Sequence, residues 1–99
     1  MRALVLSAAQ SDLAEAIAYY ESKEVGLGDG FAAQFYRTLD KILRYPGMGT
    51  RFTRRTRRCR MSRFPFGVLY AVRGEVILVG AVMDLRRGPT AWHERVRDL

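Results

Sequence analysis

Residues 66–83 decide the fold of this chain, and they read FGVLYAVRGEVILVGAVM. The first part predicts a strand over Phe66–Val72, with one apolar face made of Phe66, Val68, Tyr70 and Val72. Arg73-Gly74 predicts a two-residue turn, and Glu75–Met83 is almost continuously apolar. Strands that are buried on both faces have this character, so the second strand belongs in the middle of a sheet. The stretch therefore predicts an antiparallel strand pair at the core of the domain.

The residues before this pair predict one strand and two helices. Ala3–Leu6 is short and apolar enough for a first strand. Ser7 and Gln10 have the spacing of a capping box and would start the first helix. Its apolar side would hold Ala9, Leu13, Ile17 and Tyr20, and of the neighbours Tyr19 and Tyr20 we expect one to be buried and one to lie at the edge.

A second helix follows after a short link that contains Gly26 and Gly28. Asp29 would cap it, and it would end just before Pro46. Its apolar stripe consists of Phe31, Phe35, Leu39 and Ile42. Two helices joined by so short a link form an αα-hairpin.

Two less regular segments flank the strand pair. Arg51–Arg63 holds seven arginines in thirteen residues and predicts an irregular link that runs into a strand near Arg57–Phe64. Asp84–Pro89 leaves the sheet, and Thr90–Asp98 could add a short terminal helix. The order predicts a single α+β domain over residues 1–99, with an N-terminal strand and an αα-hairpin packed on a small antiparallel β-sheet.

The charge of the chain is concentrated in its second half. The formal net charge is +7, but residues 1–50 carry a net −1 while residues 51–99 carry twelve arginines, four acidic residues and no lysine, a net +8. The planar fork of arginine pairs two-pronged with carboxylates and phosphates. The second half therefore predicts a surface that faces an anion, either nucleic acid or an acidic protein segment.

Several classes of protein are excluded by composition. The single cysteine, Cys59, cannot form an internal disulfide and rules out a cysteine-rich metal site, so we expect no metal and no cofactor. Cys59 is expected to be a small buried thiol. The longest apolar run, Val76–Met83, is far below the roughly 20 residues that a bilayer requires. We expect a cytoplasmic protein without a membrane association.

Three stretches together resemble the RelE/ParE superfamily of toxins from type II toxin–antitoxin (plasmid stabilisation) systems. They are AIAYYE (residues 16–21), RRCRMSRFPFGVLY (residues 57–70) and AVMDLRRGPTAW (residues 81–92). The resemblance implies a bacterial growth inhibitor that a cognate antitoxin holds inactive in a hetero-oligomer. It also implies one of two targets: RelE-like members cleave messenger RNA on the ribosome, whereas ParE-like members poison DNA gyrase without cutting nucleic acid themselves.

The residues near the end of the last strand favour the ParE-like branch. RNA cleavage needs a general base, a general acid and cations that stabilise the phosphate. Asp84 stands where the wider family commonly has histidine, and an aspartate beside arginines is ionised and a poor acid. If the chain were a nuclease, the candidates would be Arg58, Arg60, Arg86, Tyr70 and His93. We expect Tyr70 to be a core or rim aromatic and His93 to be a surface histidine.

The lead hypothesis is therefore a ParE-like inhibitor of DNA gyrase. The alternatives are a ribosome-dependent mRNA endoribonuclease and a degenerate homologue that only binds an antitoxin. For the surface that binds the antitoxin or the target, the resemblance and the arginine pattern indicate Arg57, Arg58, Arg60, Arg63, Arg86, Arg87 and Trp92. For the basic stretch, docking of an acidic antitoxin segment ranks ahead of contact with nucleic acid.

Overall fold

A computed structural model describes residues 1–97 and 99 of the chain. These residues form, in chain order, β1 (Arg2–Val5), α1 (Ser7–Lys23), α2 (Leu27–Arg44), β2 (Thr50–Arg51), β3 (Arg57–Arg60), β4 (Phe66–Arg73), β5 (Val76–Asp84) and α3 (Pro89–Arg95). Among the described residues, no helix combines the length and the apolar character needed to cross a bilayer.

The five strands form one sheet in the order β1-β5-β4-β3-β2. Strands β2 to β5 are antiparallel neighbours, whereas β1 pairs parallel to β5, with Leu4 opposite Leu78. Strand β5 lies between β1 and β4, as its continuous apolar sequence predicts. The predicted α+β class with an αα-hairpin and a short C-terminal helix is confirmed, and the sheet is mixed because the first strand joins it in parallel.

The register of β4 and β5 contains one irregularity, at Gly80. Leu69 lies opposite Ala81, but Tyr70 lies opposite Val79, so Gly80 is an extra residue in β5. Side chains alternate between the two faces of a sheet, and one extra residue shifts that alternation. For this reason Val79 and Val82 both pack into the core under the helix hairpin, while Ala81 faces the other side.

Each face of the sheet covers its own apolar cluster. The larger cluster lies between the sheet and the α1–α2 hairpin and includes all four predicted residues of the α2 stripe, namely Phe31, Phe35, Leu39 and Ile42. In the same cluster the ring of Tyr20 stacks on Phe31, whereas Tyr19 is more than half exposed. The smaller cluster, on the opposite face, joins α3 to the sheet through Leu69, Ala81, Met83 and Trp92.

The predicted helix caps are wrong at both helices. Leu6, not Ser7, precedes the first turn of α1, and no side chain caps it. Helix α2 begins at Leu27, after Gly26 in the left-handed conformation (φ 89°), and Asp29 lies inside its first turn. The backbone amides of Gly26 and Gly28 instead donate to the carboxylate of Glu21, at 3.0–3.1 Å. A side chain from the preceding helix therefore satisfies the start of α2.

Two other elements are shorter in the structure than predicted. The basic strand β3 ends at Arg60 rather than near Phe64, because the chain turns at Arg63 (φ 72°) and the amide of Met61 donates to Phe66 O at 2.9 Å. The terminal helix α3 starts with Pro89 in its first turn and ends at Arg95, and Asp98 of the predicted range lies outside the described residues.

Candidate functional site

The structure distributes the predicted binding arginines over separate parts of the surface. Arg58 and Arg60 lie opposite Leu69 and Gly67 in the sheet, and their side chains are on the α3 side. Arg57 lies opposite Tyr70 on the hairpin side, and the exposed Arg63 lies in the turn after β3. Alternation along a strand separates Arg57 from Arg58, although they are neighbours in sequence.

Arg58 is held between two aromatic rings on the α3 side. Its guanidinium carbon lies 5.4 Å from the ring centre of Trp92 and 5.9 Å from that of Phe52. The imidazole of His93 stacks on the ring of Phe52, with 4.6 Å between the two ring centres. His93 is exposed, as predicted. Trp92 is 1% exposed, and its ring packs against the guanidinium of Arg58. A cation over aromatic rings is held in place without losing its charge.

Arg86 and Arg87 lie beyond the end of β5, beside Asp84. The guanidinium of Arg86 donates to both carboxylate oxygens of Asp84, with Nε to Oδ1 at 2.9 Å. These hydrogen bonds hold the pKa of Asp84 below its usual range, and Asp84 raises the pKa of Arg86. The prediction that Asp84 is ionised is confirmed. The side chain of Arg86 is 76% exposed, so it can contact a ligand as well as Asp84.

Tyr70 is fully buried and its hydroxyl is used by the fold. The hydroxyl donates to Pro46 O at 2.7 Å and accepts from the backbone amide of Gly49 at 3.1 Å. Burial raises the pKa of this phenol above its ordinary value. Tyr70 therefore lies in the core, as predicted, and it fixes the loop between α2 and β2.

Cys59 is a structural residue, as predicted. Its thiol is buried on the hairpin side of β3, and burial raises its pKa. A thiol with a raised pKa is protonated at neutral pH and is a weak nucleophile.

One concave surface is lined mainly by arginines, and we name it the arginine recess. It encloses about 550 Å³ and is lined by Arg51, Arg54, Arg55, Thr56, Arg57, Tyr70, Val72 and Arg73. Of these residues, only Arg57 belongs to the set that the sequence indicated for binding, and the other arginines come from β2, from the loop before β3 and from the end of β4. The lack of acidic residues between Arg51 and Arg63 is the feature of the sequence that indicates this surface. The position of Arg73 in the recess could not be predicted in this way, because it depends on strand pairing.

A second concave surface is apolar and lies beside the edge strand β1. This apolar groove has a volume of about 430 Å³ and is lined by Val5, Gln10, Leu13, Ala14, Ile17 and Tyr36. Tyr36 is 55% exposed. An exposed aromatic side chain beside an apolar groove is typical of a protein-binding surface.

The architecture is shared with a solved structure of a toxin–antitoxin system. A solved structure titled "Chromosomal ParDE TA system from P. aeruginosa" is similar to this chain with a TM-score of 0.69 and 17% sequence identity, over 85% of this chain and 95% of that one. That likeness shows the shared fold.

Family membership follows from the sequence match. Residues 4–89 match the family model described as the ParE toxin of the type II toxin–antitoxin system parDE. The chain belongs to this family, and the predicted ParE-like branch of the RelE/ParE superfamily is confirmed. No curated protein matches the chain.

Proposed function

We propose that this ParE-family toxin inhibits DNA gyrase and that a cognate antitoxin neutralises it in a hetero-oligomer. The observation that carries the proposal is the match of residues 4–89 to the ParE toxin family. The target is the finer part of the proposal, since fold alone does not choose between gyrase and messenger RNA.

The state of the candidate acid–base residues supports gyrase over RNA cleavage. Asp84 is ionised and paired with Arg86, so it has no proton to give. The hydroxyl proton of Tyr70 is directed at Pro46 O inside the protein. A general acid or base has to reach the reacting oxygen directly or through one water. Of the two aromatic candidates for acid or base, Tyr70 and His93, only His93 is exposed.

One observation favours the alternative of a ribosome-dependent endoribonuclease. His93 and Arg58 contact the same ring, that of Phe52, so an imidazole and a guanidinium lie on one side of the molecule. If this pair cleaved RNA, replacing His93 by alanine would abolish the cuts in messenger RNA and the growth arrest together. The gyrase proposal expects growth arrest with intact transcripts, both before and after that substitution.

For antitoxin binding we propose the apolar groove together with the predicted arginines. Apolar anchors supply most of the affinity of such an interface, and charges supply steering and register. An antitoxin with apolar anchors and acidic flanks would fill the groove and, where it extends across the sheet, pair with Arg57, Arg58, Arg60, Arg63, Arg86 and Arg87. Trp92 takes part as the support of Arg58.

The groove part of this proposal is tested with two exposed tyrosines. Replacing Tyr36 by glutamate puts a charge into the groove, and we expect antitoxin binding to weaken about 30-fold, the loss that about 2 kcal/mol at an interface hot spot produces. Tyr45 is 67% exposed and does not line the groove, so Tyr45→Glu should bind normally. Equal affinity of the two variants in calorimetric titration would remove the groove from the interface.

The growth experiment separates the remaining alternatives. Induction of the chain alone should arrest growth and produce gyrase-linked DNA breaks, and co-expression of the antitoxin should restore growth. A degenerate homologue would leave growth unchanged. Codon-biased cuts in transcripts, without gyrase-linked breaks, would favour the endoribonuclease.

A further inference from the structure

We infer that the arginine recess binds the phosphate backbone of a nucleic acid duplex. This contact goes beyond the proposed inhibition of gyrase and does not depend on it. It also uses residues that lie largely outside the proposed antitoxin-binding set.

The positive charge of the recess favours binding of an anion. Its five arginines come from β2, the loop before β3, β3 itself and the end of β4, and the described residues that line it include no acidic side chain. Arg54, Arg55 and Arg73 are exposed. Five guanidinium groups around one concavity repel one another unless an anion neutralises them, because each keeps its charge at any physiological pH.

The recess is built before any ligand arrives. The guanidinium of Arg57 donates to Gly49 O at 2.8 Å, and that of Arg51 donates to Arg54 O at 2.9 Å. The buried Thr56 shapes the loop between them, since its carbonyl accepts from the amides of Phe52 and Thr53 and its hydroxyl is 2.7 Å from that of Thr53. Guanidinium groups held in place keep their remaining N–H donors available in a fork that matches phosphate oxygens.

The uncharged residues of the recess favour a duplex over the other anionic polymers. Single-stranded nucleic acids are bound by stacking their bases on aromatic side chains, but Tyr70, the one aromatic residue among those described as lining the recess, is fully buried. An acidic peptide needs apolar anchors, and among the described residues that line the recess only Val72, at 41% exposed, offers apolar surface. A duplex presents its phosphates on the outside and is bound by charge alone.

The test measures binding of the full chain to a short fluorescent DNA duplex by anisotropy, between about 50 and 200 mM salt. The recess variant is R54Q/R55Q/R73Q. Its control, R2Q/K23Q/R37Q, also removes three positive charges, but from exposed positions outside the recess. One of these positions, Arg2, is on β1 at the opposite edge of the sheet. We expect the recess variant to lose about tenfold or more in affinity at about 100 mM salt, and the slope of log K against log salt to fall by about 2–3. The control should stay within about twofold of the wild type.

Three results would overturn the inference. An equal loss in both triple variants would show that net charge alone attracts DNA. A single strand of the same length that binds as tightly as the duplex would contradict the backbone contact. A glutamate-rich peptide that binds as tightly as the duplex, and loses binding in the recess variant, would assign the recess to an acidic protein segment.

A second readout checks the recess without any polymer. Inorganic phosphate should raise the melting temperature of the wild type and of the control above that in chloride at equal ionic strength, and should do so less in the recess variant. Circular dichroism verifies that each variant is folded. If the triple variant does not fold, R73Q compared with R37Q repeats both measurements with one charge, and no difference between these two would contradict the inference.

Discussion

Tyr70 shows how a residue that could carry chemistry is used for structure. Its hydroxyl satisfies Pro46 O and the amide of Gly49, both in the loop that leads from the helix hairpin to β2. Replacing it by phenylalanine leaves these two groups without their partner. We expect Tyr70→Phe to lower the free energy of unfolding by about 1–3 kcal/mol, measured by urea denaturation, and to leave inhibition of gyrase unchanged.

The control for this prediction is Tyr19→Phe, because Tyr19 is 56% exposed. It should change stability by less than about 0.5 kcal/mol. If Tyr70→Phe kept full stability but abolished activity, the hydroxyl would be a chemical group of the site rather than an anchor of the loop.

The ion pair of Asp84 and Arg86 predicts a pH dependence of stability. The folded pKa of Asp84 lies below its ordinary value of 3.8, because Arg86 donates hydrogen bonds to the carboxylate. The contribution of the pair is therefore fully present above about pH 4 and is lost as the pH falls through the lowered folded pKa. We expect Asp84→Asn to be slightly less stable than the wild type at about pH 7, with the difference vanishing in acid.

A double-mutant cycle isolates this effect. In the background Arg86→Gln, the change Asp84→Asn should affect stability at neutral pH less than in the wild type, because the backbone amide of residue 86 still donates to Oδ1 of the carboxylate at 2.8 Å. An equal effect of Asp84→Asn in both backgrounds would show that the side chain of Arg86 does not stabilise the carboxylate.

At the residue scale the sequence predicted chemical states better than positions. The ionisation of Asp84 and the burial of Cys59 and Tyr70 follow from neighbours and strand periodicity, which are local. The position of Trp92 does not, because it depends on how α3 folds back onto the sheet and closes the second apolar cluster.

The junction of α1 and α2 shows why the element boundaries were harder to predict. The predicted caps were Ser7 and Asp29, the residue types that cap helices most often. In the structure the carboxylate of Glu21 satisfies the start of α2 across five to seven residues. Capping rules consider residues within one turn of the helix start, so a cap from the preceding helix is not visible to them.

The close approach of the two helices predicts opposite effects for two glycines in α2. A Cβ on Gly28 would lie 2.8 Å from Ile17 O on the backbone of α1, whereas a Cβ on Gly30 would meet nothing within 4 Å. We expect Gly28→Ala to destabilise the protein by about 1–3 kcal/mol, because the helices have to move apart. Gly30→Ala should stabilise it by about 0.5–1 kcal/mol through helix propensity.

Urea denaturation of the two variants compares them directly. Equal effects of the same sign would contradict a tight contact between α1 and α2 at Gly28.

Helix α3 is tied to the rest of the molecule by Arg95. Its guanidinium donates to both carboxylate oxygens of Asp12 on α1 at 2.8–3.0 Å and to Gly80 O on β5 at 3.2 Å. Trp92 is the only tryptophan of the chain and is buried under this helix. We expect Arg95→Gln to lower the free energy of unfolding by about 1–3 kcal/mol and to shift the fluorescence of Trp92 to longer wavelength.

The nearby exposed Arg97 supplies the control. Arg97→Gln should leave both the emission and the stability unchanged. An unshifted emission in Arg95→Gln would mean that apolar packing alone holds α3 on the sheet.

At the scale of the whole molecule, the sheet separates the basic surfaces. The sequence correctly assigned the charge to the second half of the chain and predicted the fold class, because both depend on composition and periodicity. It did not show that Arg57 and Arg58 face opposite sides, or that Arg73 joins the loop arginines in one recess. Those placements depend on which strands pair and in which register, including the extra residue at Gly80, and pairing is a long-range property.

Because the surfaces are separate, the apolar groove and the arginine recess can bind different partners. The apolar groove beside β1 and the recess beside β2 lie at opposite edges of the sheet. A bound antitoxin segment in the groove would therefore leave the recess uncovered unless the antitoxin extends across the sheet.

Inhibition of gyrase without cleavage of nucleic acid by the toxin itself can be measured with purified components. The most direct measurement adds the purified full chain to DNA gyrase and relaxed plasmid, with and without the antitoxin, and follows supercoiling together with plasmid linearised after protein digestion. We expect loss of supercoiling, gyrase-dependent breaks and restoration of normal activity by the antitoxin. Normal supercoiling without breaks, in the presence of chain whose circular dichroism shows it to be folded, would contradict this expectation.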